Sequence, residues 1–144
     1  MVSGNKIYEF LVELTKGHDT RIALHDVDYS LPDEAYIENF GTRFRNFTFG
    51  LGLEFKDEAW DCDNFALLAC ALAKMDHGLH TNKASELAVG MAGIATETIL
   101  HKVVAVIHEQ DGKLVLKLYE PQKQGNVCMR EFHLPVQRYL SLFF

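Results

Sequence analysis

Two apolar runs, Leu100 to His108 and Lys113 to Tyr119, flank an Asp111-Gly112 dipeptide, and no other feature of the chain constrains its fold as tightly. Asp-Gly between such runs favours a two-residue turn with both central residues at positive φ, which ties two antiparallel strands into a hairpin. With the turn centred there, Ile107 faces Leu116, Ala105 faces Leu118, Val103 faces Glu120 and His101 faces Gln122. One face is then apolar, while Lys102, His108, Lys113 and Lys117 collect on the other and are expected in solvent. A slip of one residue would mix the two sets, so the pattern specifies the register.

The chain before the hairpin reads as helical. Ile7, Phe10, Leu11 and Leu14 recur at helical spacing from Lys6 until Gly17 stops the run. A short strand is expected at Ile22–Leu24. Pro32 opens a second helix, with Asp33 and Glu34 in its first turn, where the dipole favours acids. Thr48 to Phe55, with Gly50 and Gly52, reads as a turn. Asp61 to Met75 is the clearest helix: Asp61 is a good N-cap, Phe65, Ala66, Ala69, Leu72 and Ala73 share a face, and Gly78 ends it. Strands are expected at Glu86–Gly90 and around Val127–Leu134, and an apolar tail, Pro135–Phe144, packs back on the body.

Helices followed by an antiparallel sheet predict an α+β fold. It is read as one domain over 1–144, with a helical part at 1–49, the cysteine helix and hairpin at 50–125, and a strand and tail at 126–144. At 144 residues, one hydrophobic core suffices. The net charge of -6 and the lack of clustered cations exclude nucleic acid as a partner, because phosphate binding needs such clusters. The acidic balance fits a divalent cation better than an anionic membrane surface. Three cysteines without a CxxC pair argue for reduced thiols. With no signal-like N-terminus and no apolar run of spanning length, a cytoplasmic location is expected. The sequence does not give an oligomeric state.

Chemistry concentrates at three positions. Cys62 sits in the first turn of its helix, where unsatisfied amides favour a thiolate; the plainer reading is a small buried apolar residue. On the hairpin, His101 and Glu120 share a face as diagonal neighbours about 7–8 Å apart, within reach of long side chains. A carboxylate there would fix the imidazole tautomer, the task of a triad's third member.

Trp60-Asp61-Cys62-Asp63-Asn64-Phe65-Ala66, then His101 heading a Val-rich strand, then Tyr119-Glu120-Pro121-Gln122, resembles the papain-like/transglutaminase-like cysteine peptidases. The pattern is most similar to the peptidase domain of certain fungal agglutinins and to small bacterial and phage proteins, and covers roughly residues 50 to 125. The resemblance implies a papain-like core, with a Cys-bearing central helix on a small antiparallel sheet. It also implies a Cys62–His101–Glu120 triad acting as hydrolase or acyltransferase on the amides of a protein or peptide. Asp61 and Asp63 beside the thiol disfavour the thiolate, and a bound cation would relieve this. The resemblance implies calcium or manganese, with Asp61, Asp63 and Glu120 as candidate ligands. For Asp61 and Asp63 the alternative is a cap and a dipole-complementing acid. The oxyanion donors would be the Cys62 amide and either Trp60 or Asn46, Trp60 also reading as a lid or core residue, and Gln122 supports from across the strand. Pocket-lining residues are expected from Asn46–Trp60 and Thr81–Thr98. His77 and His80 read as exposed loop histidines, Cys70 as core and Cys128 as a strand residue. The competing functional reading is a catalytically inactive binding protein on the same fold.

Overall fold

The computed structural model describes residues 1–54, 56, 61–81, 84–122 and 124–144. In chain order these form β1 (Val2–Ser3), α1 (Gly4–Leu14), β2 (Arg21–Ala23), β3 (Asp28–Ser30), α2 (Glu34–Gly50), α3 (Cys62–His80), β4 (Glu86–Leu87), β5 (Val89–Ala95), β6 (Leu100–Gln110), β7 (Lys113–Glu120), β8 (Arg130–Glu131) and β9 (Arg138–Phe143). A six-stranded sheet runs β2-β9-β5-β6-β7-β8, and a smaller one runs β1-β3-β4.

Local chemistry explains where the helices start. Ser3 caps α1, its Oγ accepting from the Lys6 amide at 3.4 Å. Asp33 caps α2 by accepting from the Tyr36 amide at 2.7 Å. This helix runs on through Gly41 to Gly50, past the turn expected from Thr48. Gly41 has a packing reason: a Cβ there would lie 2.7 Å from the Cys128 carbonyl oxygen. Likewise α3 passes through Gly78 to His80, since a glycine in a well-packed helix weakens it without breaking it.

At the hairpin, Asp111 has φ 52° and Gly112 φ 73°, as a two-residue turn with both φ positive requires. The register follows: Ile107 pairs with Leu116, Ala105 with Leu118 and Val104 with Tyr119.

The expected exposed face is corrected. Every residue from Val103 to His108 is buried, because both faces of the sheet are covered. Val104, Val106 and Tyr119 pack with Ile37, Phe44, Phe65 and Ala69 of α2 and α3. Val103, Ala105, Ile107 and Leu118 pack with Ile7 and Leu11 of α1, Tyr29, Leu142 and Phe144.

The fold class expected from the resemblance is corrected too: a small antiparallel sheet under one helix does not describe this chain. Its sheets are mixed, with β2 parallel to β9 and β3 parallel to β4. The supposed tail carries β9, an interior strand hydrogen-bonded to both β2 and β5. Burial of Leu142 and Phe144 drives that insertion. Of the strand expected around Val127–Leu134, Arg130–Glu131 forms β8 and Val127 makes an isolated bridge to Gln124. No helix among the described residues is long and apolar enough to cross a membrane.

Candidate functional site

The mouth of α3 is fixed by a reciprocal cap. The Asp61 carboxylate accepts from the Asp63 amide at 3.1 Å, and the Asn64 side-chain oxygen accepts from the Asp61 amide at 3.3 Å. Cys62 follows at once and is partly buried. Its thiol donates to Asp63 Oδ1 at 3.6 Å, and the Lys102 backbone amide points at the sulfur. Burial pushes the Cys62 thiol pKa up; the Lys102 amide opposes the rise, and the Asp63 and Asp61 charges add to it. Burial and the two acids thus oppose the favouring effect of the helix terminus on a thiolate.

The second cluster lies at the start of β6. His101 Nε2 and Glu120 Oε2 are 2.5 Å apart, and both side chains are largely buried. Glu120 Oε1 accepts from the Gln122 amide at 3.1 Å. The His101 ring is tilted against Phe132, with centroids 5.9 Å apart. Because the register puts His101 opposite Ile94, its side chain belongs to the α1 face, alongside Val103. Lys102, the next residue, points the other way and brings its ammonium to Asp63 Oδ2 at 3.4 Å. The strand thus passes directly beside the mouth of α3, yet among the described residues no hydrogen bond joins the Cys62 sulfur to the His101 ring.

The other sequence candidates fall as follows. Trp60 lies outside the described residues. Asn46 is exposed on α2 and forms no hydrogen bond with Cys62, His101 or Glu120. Asp61 acts as the cap and Asp63 faces Lys102; among the described residues no group of three His, Cys, Asp or Glu could hold a metal ion. His77 and His80 belong to the last turns of α3 and not to a loop: His77 Nε2 donates to the Ser85 carbonyl at 3.2 Å, and His80 Nδ1 to the Asp76 carbonyl at 2.9 Å. Cys70 is core, its thiol pushed up to about 12 by burial and donating to the Gly90 carbonyl at 3.0 Å.

Next to the Glu120–Gln122 corner opens a cleft of about 460 Å³. Its walls are the end of α2 and the turn after it (Arg45, Thr48, Phe49, Gly52, Leu53 and Glu54), with Phe65 of α3 and Gln122 closing it. The sequence pointed to the segment after Asn46 and to Gln122 but missed Arg45 and Phe65. Only the docking of α2 on α3 unites these two, and no local pattern encodes it.

No family model matches the chain, and no curated protein does. Among solved structures, a PSL1a–E64 complex superposes with a TM-score of 0.73 at 16% identity, over 99% of this chain and 51% of that one. Polyporus squamosus lectin bound to the human-type influenza-binding epitope Neu5Acα2-6Galβ1-4GlcNAc superposes with a TM-score of 0.67 at 15% identity, over 96% of this chain and 49% of the lectin. The chain thus spans about half the length of the structures it resembles, and at this identity the likeness concerns the fold. The expected relationship to papain-like or transglutaminase-like peptidases is corrected by these neighbours, one described as a lectin with its glycan and the other as a complex with E64. The cysteine hydrolase or acyltransferase reading, with its protein substrate, thereby loses the resemblance that carried it.

Proposed function

We propose that this chain is a binding domain whose ligand is a glycan, seated in the cleft between the end of α2, the start of α3 and Gln122. The observation that carries the proposal is the cleft itself. It combines an exposed aromatic ring, Phe49, with the hydrogen-bonding side chains of Glu54 and Gln122. Such a mix of apolar surface and a few placed polar groups is what a small-ligand site requires, and a sugar offers both an apolar ring face and hydroxyls. A glycan-bound lectin among the structures of this fold supports the ligand class.

The thiol argues the same way. A Cys62 whose pKa is raised and whose sulfur is not hydrogen-bonded to His101 is poorly placed to act as a nucleophile. In this reading His101 and Glu120 are positioning residues. His101 holds the Glu120 carboxylate, which holds the Gln122 amide, which sets the Gln122 side chain in the cleft wall.

Calorimetric titration with Neu5Acα2-6Galβ1-4GlcNAc and with neutral N-acetyllactosamine tests the reading. Saturable binding that falls about tenfold or more in Phe49→Ala and Gln122→Ala is expected, a loss of about 1.4 kcal/mol or more. Turnover of a fluorogenic amide that disappears in Cys62→Ala would overturn the proposal and restore a catalytic role for the thiol.

A further inference from the structure

Two arginines on α2 have opposite circumstances. Arg43 forms an ion pair with Asp76 at 2.9 Å. Among the described residues Arg45 forms no ion pair, and its buried Nε has no hydrogen-bond acceptor. An unsatisfied buried N–H is disfavoured, and native structures rarely keep one without a reason. The Arg45 side chain lines the cleft described above and also a second hollow, of about 250 Å³, beside Cys128 and Met129. A guanidinium offers a rigid fork of donors matched to the two oxygens of a carboxylate. Bound side-on, such a carboxylate would take one hydrogen bond from a terminal guanidinium nitrogen and the second from Nε.

We infer that Arg45 is the anion-recognising group of this cleft, and that the preferred ligand carries a carboxylate, as an acidic sugar does. The choice of an acidic sugar rests on the glycan reading above; recognition of a carboxylate by Arg45 does not. Glu54 lines the same cleft without pairing with Arg45, so it disfavours an incoming anion and sets a ceiling on affinity. The inferred site therefore has a donor and a nearby competitor, whose effects are opposite in sign.

The test follows the Arg45 Nε–H resonance in protein labelled with ¹⁵N-arginine, titrated with acetate and with uncharged acetamide. Acetate is expected to move that resonance and acetamide to leave it in place; a resonance unmoved by saturating acetate overturns the inference. In parallel, glucuronic acid is compared with its methyl ester by calorimetry. The acid should bind about tenfold more tightly, about 1.4 kcal/mol in preference. Arg45→Gln should abolish that preference and Glu54→Gln should enlarge it. Equal affinity for acid and ester overturns the inference and leaves the glycan reading standing. A response to acetate without binding of any sugar supports the Arg45 assignment and overturns the glycan reading.

Discussion

Within β6, His108 accepts the Tyr119 hydroxyl proton at Nε2 across 3.0 Å and donates from Nδ1 to the Pro32 carbonyl across 2.7 Å. A carbonyl can only accept, so Nδ1 carries a proton, and burial, which lowers the His108 pKa, favours the neutral ring. One buried side chain thereby ties the hairpin to the residue that leads into α2. The α2 cap, and so the direction in which the helix delivers Arg45 and Phe49 to the cleft, depends on a strand residue far away in sequence.

That link predicts a pH dependence of stability. Burial holds the His108 pKa below its ordinary value; the Pro32 carbonyl opposes the shift, Lys117 adds to it, and Glu34 and Glu131 oppose it. The unfolded chain takes up a proton near pH 6.5, whereas the folded one resists until lower pH. Between those values the unfolded state binds more protons, so stability falls as pH drops. Urea midpoints measured from pH 7.5 to 5.5 should decline, and His108→Gln should remove part of the slope. His108→Phe should cost about 1–3 kcal/mol at pH 7.5, because it strands the Pro32 carbonyl and the Tyr119 hydroxyl.

Cys62 should be a slow thiol. With its pKa raised by burial and by the adjacent acids, its alkylation by iodoacetamide should accelerate only at alkaline pH, above the range of an ordinary cysteine. Asp63→Asn keeps an oxygen acceptor but removes the negative charge that raises the thiol pKa, and should shift the rate profile toward lower pH. Mass spectrometry of the labelled peptide separates Cys62 from Cys70, which is buried and should stay unmodified in the folded protein. Rapid labelling of Cys62 at pH 6 would show instead that the thiolate is favoured.

Glu120 should matter through its two partners. Glu120→Ala leaves the His101 ring and the Gln122 amide without their acceptor, in a place water reaches poorly. The expected loss is about 1–3 kcal/mol by urea denaturation. Glu120→Gln keeps one oxygen acceptor and should lose less. Ligand affinity should follow the same order if the corner positions Gln122, whereas a purely structural role would change the urea midpoint and leave affinity alone.

How legible all this was in the sequence depended on how local each determinant is. The hairpin register was legible because Asp111-Gly112 fixes it within four residues, and the register alone brings His101 and Glu120 to one face. The caps at Asp33 and Asp61 were legible for the same reason. The two-sided burial of β6 was also written in the chain, as the unbroken run Val103-Val104-Ala105-Val106-Ile107, which marks a strand covered on both faces. Reading that run as alternating exposed His108 wrongly. The meeting of Cys62 with His101 was not legible. It depends on how α3 docks against the start of β6, where the Lys102 ammonium reaches Asp63. The place of β9 was hidden likewise, since a parallel partner such as β2 leaves no turn between them to read.

Gly41 and Gly78 allow a matched test of that distinction between local and tertiary determinants. Both lie inside helices, where alanine is favoured over glycine by about 1 kcal/mol on helix propensity alone. At Gly78 no atom of the described residues beyond the local helix backbone and the chain neighbours lies within 4 Å of where a Cβ would stand, so Gly78→Ala should stabilise the protein by about 0.5–1 kcal/mol. At Gly41 the new Cβ would meet the Cys128 carbonyl oxygen at 2.7 Å and the Met129 Cβ at 3.1 Å. Overpacking against backbone costs about 1–3 kcal/mol, which exceeds the propensity gain. Gly41→Ala should therefore destabilise, and since α2 must then move away from Cys128, it should also weaken ligand binding at the cleft that Arg45 and Phe49 line. Chemical denaturation of both variants decides the matter: a Gly41→Ala protein as stable as Gly78→Ala would mean that α2 does not rest on the Cys128–Met129 segment.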